Sequence, residues 1–259
     1  MASWDPGQYE RFADARLRPA IDLLARLPDR PFRAAIDLGC GGGQLTALLR
    51  NRFPALPLTG IDSSPDMLAV AARKLPDARF RLGDICDPGV AAGCDLVASN
   101  AAFQWVPGHR AVLEGLMRQL PPGGALAVQM PGNHAAPSHR LLAETVAEPR
   151  FAPALAAVTS ITPVDDAPDY AARLLGAGAL EVDAWTTTYV HRLAPAPGSH
   201  PVLEWVKGTA LRPYLDALPP ALVPIFTEAY RRRLAQAYPL RPDGQVLFPF
   251  RRVFMVALA

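Results

Sequence analysis

The chain has 259 residues, of which 50% are hydrophobic and 19% are charged, and its formal net charge is +2. This composition allows a sizeable core and excludes an intrinsically disordered chain. The charge is too small for a typical nucleic-acid-binding domain, and no apolar run approaches the roughly 20 residues that cross a bilayer. The first residues are polar, unlike a signal peptide. We therefore expect no nucleic-acid partner and no membrane association.

The sequence contains three cysteines, Cys40, Cys86 and Cys94. Their number is odd, and their spacing is not that of a metal site. Structural disulfides belong mainly to oxidising compartments. We therefore expect a cytoplasmic protein with neither a structural disulfide nor a metal ion.

Strand and helix patterns alternate through roughly the first 190 residues, which is typical of α/β folds. The strands are apolar, as in a parallel sheet that helices cover on both faces. Ser64 or Ser63 can cap the second helix, and Pro65 suits its first turn. In chain order the sequence predicts a strand over 33–39, a helix over 44–53, a strand over 56–62, a helix over 64–75, strands over 78–84 and 94–100, a helix over 109–120 and a strand over 124–130.

The pattern loosens after residue 130. Helices are predicted over 134–148 and 168–176, a long strand over 179–193, helical stretches over 200–218 and 222–238, and a last strand over 246–259. We expect a single domain over 1–259. Its predicted parts are an N-terminal helical lid (1–33), a core (34–198), a helical cap over the active site (199–240) and the last strand (246–259). Such an insertion can cover the carboxyl ends of the parallel strands, where open α/β sheets bind ligands.

A glycine-rich segment, IDLGCGGGQLT, follows the first strand at 36–46. An acid and three glycines alternate there, at Asp37, Gly39, Gly41 and Gly43. A strand, a glycine turn and a helix N-terminus together form an anion or cofactor site. The spacing does not match the G-x-G-x-x-G pattern of dinucleotide enzymes. It suits a ligand with an amino-acid end, whose carboxylate meets backbone N–H groups and whose ammonium meets Asp37.

The next strand ends carry further candidate ligand-binding residues. Asp62 closes the second strand, where a carboxylate can accept both hydroxyls of a ribose. Asp84 follows the third strand and could accept the amino group of an adenine, with Ile85 against the ring. The segment SNAAFQW at 99–105 follows the fourth strand. Suitable residues at four successive strand ends are a more specific signal for such a ligand than the glycine run alone.

With these motifs the chain resembles the class I S-adenosylmethionine-dependent methyltransferases. The resemblance covers the first five strands and implies a Rossmann-like sheet of order 3-2-1-4-5-7-6, with the seventh strand antiparallel. It implies S-adenosylmethionine as the cofactor, with Tyr9 on an N-terminal lid. The implied cofactor-binding residues are Asp37, Gly39, Cys40, Gly41, Asp62, Ser63, Met67, Asp84, Ile85, Asn100 and Tyr9.

Segments along nearly the whole chain, among them LTGIDSSPDML, SNAAFQWVP, EVDAWTTTYVH and VLEWVKGTALRPYL, are similar to the trans-aconitate 2-methyltransferase family. That resemblance implies transfer of a methyl group to one carboxylate of trans-aconitate, giving a monomethyl ester. The tract at 151–170 does not align with the family pattern. Whether it forms a lid or a disordered loop stays open.

The residues are compatible with carboxylate methylation. A carboxylate is ionised at neutral pH, so no general base is needed, and catalysis must come from positioning and removal of water. Gln104 and Trp105 are the candidate positioning residues. Alternation along the last strand suggests that one of Arg251 and Arg252 faces solvent. A tricarboxylate needs several cationic or hydrogen-bonding anchors, and the candidates are Arg18, Tyr189, His191, Arg212, Tyr214, Arg251 and Arg252.

Other functions remain open on the sequence alone. The acceptor could be another small carboxylic acid or a hydroxylated secondary metabolite. A nicotinamide oxidoreductase is disfavoured by the glycine spacing, and a non-catalytic cofactor-binding scaffold is a further alternative. The sequence does not decide which carboxylate is esterified, or whether the protein is a monomer or a homodimer.

Overall fold

A computed structural model describes the backbone of residues 13–158 and 162–259, with side chains described from residue 17 onward. A single turn of 3-10 helix, Phe103–Trp105, follows the fourth strand. The other elements are α1 (Ala13–Leu24), β1 (Ala35–Leu38), α2 (Gln44–Arg52), β2 (Leu58–Asp62), α3 (Pro65–Lys74), β3 (Arg79–Leu82), β4 (Leu96–Asn100), α4 (His109–Gln119), β5 (Ala125–Pro131), α5 (Pro137–Val146), α6 (Ala152–Leu155), α7 (Ala167–Gly176), β6 (Glu181–Leu193), α8 (Pro201–Lys207), α9 (Arg212–Ala217), α10 (Val223–Ala237) and β7 (Val246–Leu258).

The strands form a seven-stranded sheet in the order β3-β2-β1-β4-β5-β7-β6. The pairs from β3 to β5 are parallel, whereas β7 runs antiparallel to β5. The predicted α/β fold, including its strand order and the antiparallel seventh strand, is confirmed. The chain adds β2 and β3 on one side of β1 and then crosses to add β4 and β5 on the other side. In open α/β sheets, ligands bind outside the carboxyl ends of the strands at such a switch point.

The start of α3 follows local sequence rules. Ser64 is its N-cap, and the Ser64 hydroxyl accepts a hydrogen bond from the N–H of Met67 at 3.4 Å. Pro65 occupies the first turn, where its missing N–H costs nothing. The predicted capping role of Ser64 is therefore confirmed, and it fixes where the chain turns after β2.

The third strand differs from the expectation of continuously apolar, buried strands. β3 lies at the edge of the sheet, and Arg79, Arg81 and Leu82 are exposed. Leu82 is 60% exposed. The sequence RFRL alternates polar and apolar residues, as a half-solvated edge strand does, so this strand was wrongly grouped with the buried ones.

The chain forms two compact units. One, the sheet unit, consists of Arg16–Gly132, Thr162–Thr187 and Arg252–Ala259. The other, the helical unit, contains residues 133–158 and 188–251, together with 13–15. Each unit has its own apolar core. Two of the unit boundaries fall within strands, one in β6 and one in β7.

In the sheet unit, side chains that alternate along β1, β4 and β5 pack with α4 and α7. The strand registers place Asp37 beside Ala98, and Asn100 beside Gln129. Because side chains alternate between the two faces of a strand, these residues share the face opposite to that core. Polar groups therefore collect on one face, near the carboxyl ends of the central strands.

In the helical unit, α5, α8 and α10 pack around buried aromatic residues. Trp205, Phe226 and Tyr230 are each at most 2% exposed. The Tyr230 hydroxyl donates to the carbonyl of Ser138 at 2.8 Å, and the Ser138 N–H donates to the Tyr238 hydroxyl at 3.0 Å. These bonds tie the beginning of α5 to α10 and to the residue that ends it.

Two predictions for the second half of the chain need correction or completion. The helical stretch predicted over 200–218 is two helices, α8 and α9, since the chain leaves the helix at Gly208. Glycine is a poor helix former and a common terminator, which explains the break. The tract at 151–170, left open by the sequence, contains α6 and the beginning of α7.

Among the described residues, no helix combines the length and the apolar character required to cross a membrane. The roles of residues 1–33 as a lid and of 199–240 as a cap stay predictions.

Candidate active site

The glycine loop after β1 is held by backbone hydrogen bonds. The N–H groups of Gly39 and Cys40 both donate to the carbonyl of Ile61, at 2.8 and 2.9 Å. Gly39 has φ 73° and Gly41 has φ 51°, conformations that L side chains rarely adopt. The loop therefore turns sharply from β1 while staying bound to the end of β2.

Close packing adds a second requirement for glycine. A Cβ on Gly39 would lie 2.3 Å from the Cβ of Ala102, in the segment after β4. A Cβ on Gly41 would lie 3.3 Å from the Cε atom of Met67, in the first turn of α3. The loop is thus packed tightly between the residues that follow β4 and the residues that follow β2.

Asp62 connects these segments through its carboxylate. One oxygen accepts from the N–H of Gly41 at 2.8 Å, and the other accepts from the N–H of Ser64 at 2.9 Å. Each carboxylate oxygen has a second lone pair, so Asp62 can still accept a ligand hydroxyl. Met67 is half-buried beside Gly41, whereas Ser63 is exposed.

Asp37 is buried on β1, with 1% of its surface exposed. Its Oδ2 accepts a hydrogen bond from the Thr46 hydroxyl at 2.7 Å. Its Oδ1 is buried and accepts no hydrogen bond from the described residues. Burial raises the pKa of the Asp37 carboxyl to about 7. A positively charged group bound at Oδ1 would stabilise the ionised carboxylate, so this oxygen suits a cationic part of a ligand.

The end of β4 carries a strained residue. Ala101 has φ 57°, the one positive φ among the non-glycine residues that the structure describes. Its N–H donates to the carbonyl of Gln129 at 2.9 Å. The preceding Asn100 has a buried Oδ1 with no hydrogen-bond partner in the described part of the chain. Strain of this kind is often found at binding sites.

The two predicted positioning residues have different surroundings. Gln104 is 3% exposed, and its Nε2 donates to the carbonyl of Ala101 at 2.6 Å. Its Oε1 is buried and has no partner within residues 17–158 and 162–259. The Trp105 side chain is 38% exposed. Gln104 therefore braces the strained turn, while Trp105 presents its indole at the surface.

The remaining predicted cofactor residues lie further out or are buried nearby. Asp84 is exposed, and its Oδ1 accepts from the N–H of Cys86 at 2.8 Å. Ile85 packs against the core of the sheet unit. Cys40 is 5% exposed, and burial raises the pKa of its thiol. Tyr9 lies outside the described residues.

These residues fit the amino-acid end of S-adenosylmethionine. The ligand's ammonium is a donor, and the buried oxygens Asp37 Oδ1 and Asn100 Oδ1 are acceptors that no described residue satisfies. An unsatisfied buried acceptor costs about 1–3 kcal/mol, which a bound ammonium would recover. The ligand's carboxylate is complementary to the N-terminus of α2, which begins after Gly43 without a side-chain cap.

The predicted acceptor-binding residues Tyr189 and His191 lie on the part of β6 that belongs to the helical unit. Tyr189 is 4% exposed. The His191 ring stacks on Trp205 with the ring centroids 4.7 Å apart, and it lies 6.1 Å from the ring of Phe250. These side chains form an aromatic group, and their contact with a substrate stays a prediction.

Three further predicted anchors occupy helices. Arg212 begins α9, and its Nε lies 3.6 Å from a carboxylate oxygen of Asp216. Tyr214 on the same helix is half-buried, and burial raises the pKa of its hydroxyl. Arg18 is exposed on α1, 4.0 Å from Asp22. Arg212 and Tyr214 belong to the helical unit, whereas Arg18 belongs to the sheet unit.

The two arginines of the last strand differ from the prediction that one of them faces solvent. Arg251 is half-buried, and its main chain exchanges two hydrogen bonds with the Asn133 amide, at 2.8 and 2.9 Å. Arg252 is only 5% exposed, and its guanidinium donates to Oε1 of Gln129 at 3.3 Å. Neither side chain is fully exposed, since Arg252 is buried against Gln129 and Arg251 is partly buried.

Residues 36–128 match a family model described as a methyltransferase domain. The chain is 48% identical to a trans-aconitate 2-methyltransferase of Methylobacterium nodulans, over 99% of this chain and 98% of the relative. It is 47% identical to the enzyme of the same name from Rhizobium meliloti, over 98% of each. These similarities extend over both compact units.

Solved structures support the fold. The YcgJ protein from Bacillus subtilis is 13% identical and superimposes with a TM-score of 0.59, covering 93% of this chain and 98% of that one. Phosphoethanolamine N-methyltransferase 2 of Haemonchus contortus, solved with S-adenosyl-L-methionine, is 17% identical with a TM-score of 0.53, covering 93% of this chain and 52% of that one. On the full-length similarity, the chain belongs to the trans-aconitate 2-methyltransferase family.

Proposed function

We propose that the chain transfers the methyl group of S-adenosylmethionine to one carboxylate of trans-aconitate. The observation that supports this acceptor is the extent of the similarity. Identity of 47–48% to enzymes of that name runs over 98–99% of the chain, well beyond the methyltransferase domain at 36–128. It therefore includes the helical unit as well as the cofactor loop.

The reaction requires positioning rather than acid–base chemistry. When bound, S-adenosylmethionine supplies an electrophilic methyl group on a positively charged sulfur. A carboxylate oxygen of the acceptor forms the new C–O bond as the C–S bond breaks, and the bonding pair stays on sulfur. No proton is transferred, because the acceptor is already ionised at neutral pH. Orientation of two bound reactants can lower such a barrier by about 7–11 kcal/mol.

In this proposal the sheet unit holds the donor. Asp37 and Asn100 present buried oxygens to the ammonium, and Asp62 fixes the glycine loop through Gly41. Gln104 braces the turn after β4 through the carbonyl of Ala101. These groups act by orienting the donor and by excluding water from the reacting atoms.

The acceptor is a small-molecule acid. We propose its anchors among the residues predicted for that role. A cytoplasmic location and a monomeric or homodimeric state likewise stay predictions. The candidate anchors are Arg18, Tyr189, His191, Arg212, Tyr214, Arg251 and Arg252.

A labelled-methyl assay tests the activity. The purified protein is incubated with methyl-labelled S-adenosylmethionine and, in separate reactions, with trans-aconitate, cis-aconitate, citrate or a hydroxylated aromatic compound. We expect the fastest transfer to trans-aconitate. We also expect mild alkali to release the label as methanol, because an ester hydrolyses under conditions that leave a methyl ether intact.

Two results would contradict the proposal. Alkali-stable labelling of the hydroxylated compound, without labelling of any acid, would assign a hydroxyl acceptor. Calorimetric binding of NAD but not of S-adenosylmethionine would assign an oxidoreductase-type cofactor. Preferential labelling of another acid would retain the reaction and change only the acceptor.

A further inference from the structure

One polar side chain interrupts an otherwise apolar buried strand. β5 reads ALAVQMP, and Gln129 is 0% exposed. Arg252, on the neighbouring β7, is 5% exposed and belongs to the same sheet unit. Burying an amide and a guanidinium is unfavourable unless hydrogen bonds compensate, so these residues need a physical reason.

The contact between the two side chains fixes the orientation of the amide. A guanidinium nitrogen of Arg252 lies 3.3 Å from Oε1 of Gln129. A guanidinium carries only donors, so the group facing it must be the amide oxygen rather than the nitrogen. The Gln129 Nε2 then points elsewhere, and it is buried with no acceptor among the described residues.

The pair lies beside the candidate cofactor site. Gln129 is the register partner of Asn100 on β4, and its carbonyl accepts the N–H of Ala101. Arg252 is the register partner of Pro131, at the carboxyl end of β5. Both side chains therefore lie at the edge of the sheet where the strand ends carry the candidate ligand-binding residues.

We infer that Gln129 and Arg252 form an anion subsite that binds a carboxylate of the acceptor. This inference rests on the proposed function and deepens it, because it adds Gln129 as a substrate contact and pairs it with Arg252, an arginine that the sequence offered as an anchor. Nε2 of Gln129 donates to one carboxylate oxygen, and the Arg252 guanidinium supplies charge and further donors.

The chemistry of the pair favours an anion. Both groups offer donors to a ligand, and one carries a full positive charge. Arginine matches the planar geometry of a carboxylate, and charge-assisted bonds of this kind are the strong ones.

The position of the pair favours the acceptor over the cofactor's own carboxylate. The glycine loop follows β1, and β4 separates β1 from β5. Neighbouring strands lie about 4.8 Å apart, so Gln129 is roughly 10 Å from the β1 strand axis and Arg252 is one strand further. The partner proposed for the cofactor's carboxylate is the N-terminus of α2, which directly follows the glycine loop.

The test compares three variants with the wild-type protein. Gln129→Glu keeps the size of the side chain, can pair with Arg252 and repels a carboxylate. Gln129→Met keeps the approximate volume and removes the donor. Gln119→Glu, at the exposed end of α4, introduces the same chemical change away from the pair and is the matched control. Thermal unfolding establishes that each variant is folded.

We expect Gln129→Glu to raise the KM for trans-aconitate at least about tenfold, with a smaller change in kcat, because a charge-assisted contact is replaced by repulsion. We expect Gln129→Met to raise the KM by a smaller factor. The calorimetric Kd for S-adenosylmethionine should stay within about twofold of the wild-type value. Gln119→Glu should match the wild-type protein in all these measurements.

Two outcomes would overturn the inference while leaving the proposed function intact. A weaker Kd for S-adenosylmethionine with an unchanged KM for the acid would assign the subsite to the cofactor's carboxylate. Unchanged KM and Kd in both Gln129 variants would make the pair structural only. In contrast, a wild-type protein that methylates no carboxylic acid would contradict the proposed function itself.

Discussion

The carboxylate of Asp62 accepts a hydrogen bond from the N–H of Gly41 at 2.8 Å, and this bond joins the end of β2 to the glycine loop that follows β1. The other carboxylate oxygen accepts from Ser64, at the start of α3. One side chain therefore fixes two turns at the carboxyl edge of the sheet. The shape of the cofactor loop depends on a residue 21 positions away from it.

This relationship predicts that Asp62→Ala weakens cofactor binding. Hydrogen bonds to charged groups contribute about 1.5–3 kcal/mol, so we expect the Kd for S-adenosylmethionine to rise at least about tenfold. Asp66→Ala is the matched control, because Asp66 is exposed in the first turn of α3 and its replacement removes the same charge. Calorimetry measures both variants, and equal affinities for them would refute the prediction.

Packing at the glycine loop predicts an unequal cost for two similar substitutions. Gly39 and Gly89 have φ 73° and 75°, so alanine is strained at both, by about 1–2 kcal/mol. A Cβ at Gly39 would also meet Ala102 at 2.3 Å, whereas a Cβ at Gly89 meets nothing within 4 Å. We expect Gly39→Ala to cost about 1–3 kcal/mol more in unfolding free energy than Gly89→Ala. Urea unfolding measures this difference. Equal losses of unfolding free energy in the two variants would contradict the prediction, because they would show that the structure relaxes to avoid the contact with Ala102.

Burial of Asp37 predicts a pH dependence of stability. Its pKa is raised from 3.8 to about 7, so between these values the folded state holds a proton that the unfolded state has released. Stability therefore falls as pH rises through this range, and the loss is complete above the folded-state pKa. The contribution of this group should decrease by about 2–3 kcal/mol between pH 5 and pH 8.

Asp37→Asn should remove that contribution. We expect the variant to gain stability relative to the wild-type protein as the pH is raised from 5 to 8, and to bind S-adenosylmethionine more weakly at neutral pH. Urea unfolding at several pH values, followed by calorimetry, measures both effects. If the stability difference between the two proteins stayed constant across this range, Asp37 would not titrate there.

A buried polar pair predicts the effect of Tyr170→Phe. Nε2 of His109 lies 2.6 Å from the Tyr170 hydroxyl, which also accepts the N–H of Asp165 at 3.2 Å. Burial lowers the pKa of His109, which favours the neutral ring, and Nε2 of a neutral ring forms this bond as donor or as acceptor according to its tautomer. Loss of the hydroxyl leaves both partners unsatisfied, and we expect a loss of about 1–3 kcal/mol in unfolding free energy. Unchanged stability in urea unfolding would contradict this account of the pair.

The positions of the strands could be predicted from the sequence, since parallel strands are short apolar runs separated by turns that contain Gly, Pro and Ser. The order of the strands in the sheet came from the resemblance to class I methyltransferases. The short helices of the second half of the chain were not predicted correctly from the sequence. α6 has four residues, and α8 and α9 are separated by a break at Gly208. Such segments contain too few residues for their periodicity to define the ends.

The candidate site was only partly predictable. Asp37 was found because it begins the alternating pattern of an acid and three glycines, and Asp62 was found because it ends β2. Arg252 was a candidate anchor, but its pairing with Gln129 was missed because the two residues are 123 positions apart and meet only through the register of β5 and β7. The available signal was one polar residue within the apolar run of β5. The strain at Ala101 depends on backbone geometry that no residue type reports.

The most direct test of the central claim is a crystal structure of the protein with S-adenosylhomocysteine and trans-aconitate bound. We expect the amino-acid end of the cofactor product at the loop of Gly39 and Gly41, with its ammonium within hydrogen-bonding distance of Asp37 or Asn100. We expect a carboxylate of the acid at Gln129 and Arg252. Cofactor density away from this loop, in crystals that turn over the substrate, would contradict the account.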